Sequence, residues 1–398
     1  MSEFRLTQQD NSDLTRFLRE LVQTPSPSTH EGAVAQRVAA EMTRLGFTDV
    51  RVDRIGNVIA RVGAGPGPLL MLNGHMDTVQ VSDPDCWSHA PFGAEIDDGA
   101  VYGVGACDMK GGLAAMVYGA KLLLDSGVAL HGSLVVAAVV QEEPTEGLGS
   151  RVLIEEEGVR PDWVVLAEPS SLNISRGHRG RVEMRLVVHG RAAHAACPHL
   201  GDNAIYRASR LVFGLEMLAD QAGSDDFLGP GSLAVTYIAS SAGSHNAVPD
   251  RCELIIDRRL TLGESEVKSL SEVQRVLARE GIQADLAVSE CSGASYTGYA
   301  YHTRLSYPAW VIAEDHPLIT AASHAVKAQL RHRPQVTRYD FSTEGVYTAG
   351  VAGIPTIGLG PGDPRLAHTA DEHVKLADVA AAAEIYAQIA WELLGKRT

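Results

Sequence analysis

Leu69-Leu70-Met71-Leu72-Asn73-Gly74-His75-Met76-Asp77 is an apolar run that closes on a glycine and then an H-x-D pair. A run that is continuously apolar, rather than alternating, is the pattern of a strand buried on both faces. The same texture recurs at residues 134–140, 163–167 and 355–359, with helical spacing between runs at about 111–125 and 148–157. Strands and helices in alternation predict an α/β domain around a central mixed sheet. Sheets of this kind gather ligand-binding groups at the C-terminal ends of their strands. His75 and Asp77 stand at such an end.

Working outward, Leu14, Phe17, Leu18, Leu21 and Val22 have the spacing of a helix buried on one face, with Ser12 as its expected N-cap. A second helix is expected over 31–45 with Gly46 as its stop, followed by a hairpin over 50–62. From about Arg179 the texture changes. Val182, Met184, Leu186 and Val188 alternate with polar residues, the mark of a strand with one wet face. A helix (202–219), two alternating strands (232–240, 252–260), a helix (265–280) and a strand (282–288) follow, which is the order βαββαβ of a ferredoxin-like unit. The remaining helix (317–331), strand (335–340) and helix (376–394) return to the first domain. The expected organisation is a discontinuous catalytic domain, residues 1–178 and 309–398, with a lid and dimerisation domain inserted at 179–308.

A chain of 398 residues is long enough for two domains, and 45% hydrophobic with 21% charged residues is ordinary globular composition. The charge balance, 34 − 49 = −15, repels a phosphate backbone and argues against nucleic acid or an anionic membrane as partner. The run 134–140 is too short to span a bilayer and Met1–Gln9 is polar. Five cysteines without a C-x-x-C pair argue against a disulfide framework or a thiolate zinc knuckle. Together these features predict a cytoplasmic protein.

The chemistry is expected where histidine meets carboxylate. In an extended H-x-D, Asp77 can accept the imidazole N–H of His75 while the other ring nitrogen binds a metal. Gly103-Val104-Gly105-Ala106-Cys107-Asp108 aims one carboxylate from a glycine-rich turn at the start of a helix. Gln141-Glu142-Glu143-Pro144 puts two adjacent anions at a strand end, a conflict that a cation resolves with Glu143 as ligand and Glu142 as base. Ala167-Glu168-Pro169 delivers another carboxylate at a strand tip, kept extended by the proline. His368 lies in a polar loop before the last helix. Taken singly these read as a hydrogen-bonded pair, a helix N-cap, a solvated helix start and a loop histidine. Taken together, two imidazoles and three carboxylates without a thiolate suit a pair of borderline divalent ions.

The motifs Gly74-His75-Met76-Asp77, Asp108-Met109-Lys110-Gly111-Gly112, Glu142-Glu143 and Glu168-Pro169, with His368 near the end, resemble those of a family of zinc metallopeptidases and deacylases. It includes acetylornithine deacetylase, succinyl-diaminopimelate desuccinylase and bacterial glutamate carboxypeptidase. The resemblance covers nearly the whole chain. It implies that His75 and Glu168 hold one metal, Glu143 and His368 the other, and that Asp108 bridges them, with a cis peptide at Asp108–Met109. It further implies that Asp77 orients His75, that Glu142 is the general base, and that His194 reaches the active site of a partner subunit to stabilise an oxyanion. Asn246 and Arg258 look like the family's substrate-carboxylate contacts, and Arg179 and Thr343 complete the expected substrate set. Phe341-Ser342-Thr343-Glu344-Gly345 departs from the Ser-Asp or Thr-Asp pair of the deacetylases. The segments 178–181, 307–310 and 314–317 look closer to a branch labelled selenium-metabolism-linked hydrolases.

The expected reaction is amide hydrolysis of a small N-acyl amino acid or dipeptide with two divalent ions, zinc first and cobalt or manganese as substitutes, in a homodimer formed through the lid. An exopeptidase on the same scaffold is the nearest alternative. A single-domain aminopeptidase leaves residues 179–308 unexplained, and a non-catalytic metabolite-binding protein leaves Glu142 without a task.

Overall fold

The computed structural model describes residues 4–81 and 83–395; the first three residues of the polar Met1–Gln9 stretch lie outside that range. The chain divides into two units, one of Met1–Gly177, Gly293–Tyr301 and Val311–Thr398, the other of His178–Ser292 and His302–Trp310. The inserted block expected from the sequence is continuous, whereas in the structure residues 293–301 pack with the first unit. Among the described residues no helix is long and apolar enough to cross a membrane.

The first unit is built on a mixed sheet in the order Thr48–Val52, Val58–Val62, Ser133–Val139, Leu69–His75, Trp163–Leu166, Thr356–Gly358, Ile174–His178. Leu69–His75 runs parallel to both of its neighbours, while the outer pairings at Val58–Val62 and Ile174–His178 are antiparallel. Every residue of Leu69–His75 and Ser133–Val139 is buried, which is why these runs carry no polar alternation. The chain leaves Leu69–His75 to form the strand on one side and then the strand on the other, so the sheet order reverses at this strand and a crevice opens beyond its C-terminal end. Register does the rest. Asn73 pairs with Leu166 and His75 with Val139, so the residues just past those ends, Glu168 and the Glu142-Glu143 pair, arrive beside His75.

Helices cover the sheet. Gln8–Val22 buries Leu14, Phe17, Leu18, Leu21 and Val22, each contributing about 1.5–3 kcal/mol of apolar burial. Its N-cap is Thr7, earlier than the expected Ser12, because Thr7 and Asp10 form a reciprocal capping box that satisfies two otherwise orphaned donors. Gly111–Asp125 packs on Leu376–Leu394. A Cβ at Gly119 would stand 2.7 Å from the carbonyl oxygen of Ala383, so only glycine permits that close approach.

The second unit has the order Gly180–His189, Ala204–Ala219, Ser232–Ser241, Arg251–Leu260, Glu266–Glu280, Ala284–Val288, the expected βαββαβ. Its antiparallel sheet runs Ser232–Ser241, Arg251–Leu260, Gly180–His189, Ala284–Val288. Val182, Met184, Leu186, Val188, Leu254 and Ile256 bury one face against Leu211, Leu215 and Val273 of the two helices. Tyr206, Phe213 and Met217 on the first helix, and Tyr237 and Ile238 on the edge strand, are exposed.

Candidate metal centre

His75 is held by its own strand end. Its Nδ1 lies 2.8 Å from the backbone carbonyl of Asp77, which can only accept, so Nδ1 carries the proton. In the neutral ring Nε2 is then a bare lone pair, and it faces Asp108 Oδ1 at 3.0 Å and Glu168 Oε1 at 3.9 Å. Three such atoms converging in a buried site call for positive charge among them, which a divalent cation supplies and which, without one, a proton on Nε2 shared with Asp108 supplies. The second oxygen of Asp108 lies 3.4 Å from His368 Nε2, which is also 3.2 Å from Glu143 Oε1. Ligand atoms of His75, Asp108 and Glu168 form one group within 4.8 Å, and those of Asp108, Glu143 and His368 form another. Asp108 is common to both and turns a different oxygen to each histidine.

The electrostatics carry the same imprint. Burial pushes the Glu168 and Glu142 carboxyls well above their usual range, opposed by His75 and reinforced by the other carboxylates around them. Burial likewise raises Glu143, against its hydrogen bond to His368. Burial works against ionisation of Asp108 too, yet the hydrogen bonds from His368 and His75 hold it below the ordinary range. His368, hydrogen-bonded to Asp108 and Glu143, is pushed up to about 10. Two imidazoles and three carboxylates, one of them spanning both groups, fit two borderline divalent cations.

Two of the ligand turns are fixed by a buried carboxylate behind them. Asp77 accepts the backbone N–H groups of Glu142 at 3.1 Å and Glu143 at 3.2 Å and the Ser28 hydroxyl at 2.7 Å. This corrects the expected side-chain contact with His75: the Asp77 carboxylate stands 3.9 Å from Nδ1, because the buried amides of the Glu142-Glu143 turn claim it. Glu372 accepts the amides of Gly105 at 3.0 Å, Cys107 at 2.9 Å and Asp108 at 2.8 Å, so it shapes the loop that presents Asp108. The Asp108–Met109 peptide is cis. Behind it, the buried Lys110 ammonium donates to the Leu21 and Thr24 carbonyls, both at 2.9 Å, where the first helix ends. Sequence reading missed Glu372, and its one signal was an acid four residues beyond His368.

Thr343 is buried and accepts the Gly345 N–H at 3.1 Å. Its neighbour Glu344 caps the turn at Leu148–Arg151 through the amides of Gly147 and Ser150, both at 2.9 Å, and burial lifts its carboxyl to about 7. A cleft of about 150 Å³ opens beside His368, walled by Val79, Val81, Trp87 and Val104, with Asp83 and Glu372 also lining it.

In the second unit, His194 and Asn246 come together. Ala193–His194 pairs with Ala247–Val248, and the Asn246 carbonyl accepts the Ala195 N–H at 2.7 Å. His194 Nδ1 accepts the N–H of Ala196 at 3.0 Å, which puts the ring proton of the neutral form on Nε2, and the side chain is exposed. Arg179 donates to the Pro230 carbonyl at 3.0 Å. Arg258 is 1% exposed, and it reaches Glu264 at 2.7 Å, Glu272 at 3.3 Å and the Arg259 carbonyl at 2.6 Å. The expected role of Arg258 at a substrate carboxylate is therefore corrected to an ion pair of the core. Strand alternation is the reason: Arg258 shares the buried face of Arg251–Leu260 with Leu254 and Ile256, and Arg259 takes the opposite one.

Residues 71–392 match the peptidase family M20/M25/M40. The chain is 37% identical over 378 residues to the uncharacterised protein YgeY of Escherichia coli (strain K12), covering 95% of this chain and 94% of that one. It is 28% identical over 393 residues to a succinyl-diaminopimelate desuccinylase of Thioalkalivibrio sulfidiphilus, with 96% and 99% covered. Its fold is similar to that of the M20 family metallo-carboxypeptidase Sso-CP2 from Sulfolobus solfataricus, with a TM-score of 0.75 at 18% identity over 96% and 98% of the two chains.

Proposed function

The chain belongs to the peptidase family M20/M25/M40, a metal-dependent amide-bond hydrolase by that membership, and we propose that it deacylates small N-acyl amino acids that carry an uncharged acyl group. The carrying observation is Asp108, whose two oxygens face His75 and His368 at 3.0 and 3.4 Å, the arrangement of a carboxylate shared by two cations. We assign His75 and Glu168 to one ion and Glu143 and His368 to the other, with zinc as the working metal.

When bound, two such ions polarise the scissile carbonyl and make water nucleophilic at neutral pH. Glu142, whose carboxyl is kept high by burial, takes the proton of the attacking water and hands it to the leaving amine. Asp77 keeps the Glu142 backbone in place while it does so. His194, with Nε2–H as its free donor, serves the developing oxyanion in a second copy of the chain, alongside Asn246. That role needs a homodimer, and the exposed Tyr206, Phe213 and Met217 with Tyr237 and Ile238 on an edge strand supply an apolar surface for one.

The acyl preference rests on the cleft beside His368. Among the described residues that line it are two carboxylates, Asp83 and Glu372, and no lysine or arginine. An acetyl or formyl group fits such walls, whereas a dicarboxylic acyl chain brings an unpaired anion into them. A dipeptide is the second reading, supported by the exopeptidases among proteins of this fold. The five cysteines are all unpaired, which supports a reducing, cytoplasmic setting.

The deciding experiment is a mass-spectrometric product screen of pooled N-acyl amino acids and dipeptides with added zinc, cobalt or manganese, beside a chelated control. Metal-dependent release of a free amine from N-acetyl or N-formyl amino acids supports the proposal. Turnover confined to dipeptides transfers the assignment to the second reading, and turnover that survives chelation removes the metal centre from it.

A further inference from the structure

We propose that residues 293–301 are a positioning strap for the general base, in which Tyr301 acts through Gln141 to hold the turn that aims Glu142. The inference rests on the reading of Glu142 as the base.

Gln141 directly precedes Glu142, is fully buried, and has a φ of +64°. A side chain other than glycine stays in the left-handed region only where its surroundings hold it. Here the holding contacts are explicit. Gln141 Nε2 donates to Glu31 Oε1 at 2.8 Å, and Gln141 Oε1 accepts the Tyr301 hydroxyl at 2.9 Å. Its backbone carbonyl accepts the Thr145 hydroxyl at 2.9 Å. Both ends of the amide are thus clasped, and each in the sense its chemistry allows.

The strap that brings Tyr301 is itself anchored along its length. The Tyr296 hydroxyl donates to the Gly56 carbonyl at 2.9 Å, and its ring fills the place that a Cβ on Gly56 would occupy, 2.2 Å away. Thr297 donates to the Arg54 carbonyl at 2.6 Å and Tyr299 to Glu156 at 2.6 Å. A turn closes between them, with the Ser295 N–H on the Tyr299 carbonyl at 3.0 Å. In sequence, the segment leaves and rejoins the second unit, yet its three tyrosine hydroxyls are all spent on the first. The Glu142 turn is therefore gripped twice, by Asp77 on the Glu142 and Glu143 amides and by Tyr301 and Glu31 on the side chain before them. A hydroxyl that only closed a buried surface would not need to end on the one residue whose backbone sets the base.

Tyr301→Phe removes that hydroxyl and keeps the ring. Gln141→Gly keeps the left-handed turn without strain and removes the clasp. Each is expected to lower kcat about tenfold or more, with KM and bound metal unchanged. Gln141→Gly relieves the left-handed φ but leaves the buried Glu31 carboxylate and Tyr301 hydroxyl without their partner, so its Tm is expected to fall, and kcat is compared at a temperature where circular dichroism shows every variant folded. The double variant falls no further than Gln141→Gly alone, because that change already cuts the connection that Tyr301→Phe removes. A Tyr301→Phe enzyme with wild-type kcat, a loss expressed in KM, or losses that multiply in the double variant would overturn the strap. Glu142→Gln in the same series separates the two claims: if that variant keeps its turnover, it is the base assignment that fails.

Discussion

The carboxylate of Asp77 accepts the backbone N–H of Glu142 at 3.1 Å while it stands 3.9 Å from the ring of His75. The imidazole is oriented by the Asp77 carbonyl, which no side-chain substitution removes. Asp77→Ala should therefore lower kcat about 10–100-fold and leave two equivalents of bound metal. Steady-state kinetics paired with elemental analysis checks this; loss of metal in proportion to activity would return the Asp77 side chain to His75.

Glu142→Gln preserves shape and removes the proton acceptor. Turnover should fall by at least about 100-fold with both ions retained, in line with the usual worth of a positioned base. Activity within tenfold of wild type would show that another group takes the proton.

For one amine partner, the N-acetyl substrate should be cleaved at least about tenfold faster in kcat/KM than the N-succinyl one, because the cleft at His368 has no lysine or arginine among its described lining residues to meet the second carboxylate. The desuccinylase relative, at 28% identity, makes the comparison sharp. Equal rates would place the acyl group elsewhere.

His178 is buried, with Nδ1 at 2.8 Å from the Arg179 carbonyl and its ring edge-on to Trp310 at 5.1 Å. Burial pulls its pKa down to about 4. Because the folded value lies below the ordinary 6.5, protonation favours the unfolded chain; this stabilisation is complete above pH 6.5 and is lost as pH falls toward 4. The loss amounts to about 3 kcal/mol, and His178→Asn, which keeps an N–H donor without a titrating ring, should flatten it. Urea midpoints at pH 7.5 and 4.5 for both proteins give the comparison, and parallel acid limbs would dismiss the histidine.

If His194 serves a neighbouring copy, His194→Ala and Glu142→Gln are each inactive and recover roughly a quarter of wild-type activity on mixing with random subunit exchange. Phe213→Asp combined with Ile238→Lys should shift the sedimenting species from dimer to monomer. No recovery despite demonstrated exchange would confine the site to one chain.

The sequence by itself determined the main strands and helices and marked the candidate ligands. Buried strands lack alternation and wet-faced strands keep it, so the two layer systems separate by eye, and His75, Asp108, Glu143, Glu168 and His368 each stand at a turn that local chemistry marks. Local pattern is legible because it depends on side-chain period and on glycine or proline within a few residues. What only the tertiary structure decided is who holds whom. Strand register brings Glu168 level with His75, the carboxylate of Asp77 goes to amides met only after folding, and Arg258 falls on the core face of its strand. Tyr301 reaches Gln141 across 160 positions of chain. Contacts at such separation depend on where the backbone leaves unsatisfied donors in the folded interior, a quantity no stretch of sequence contains.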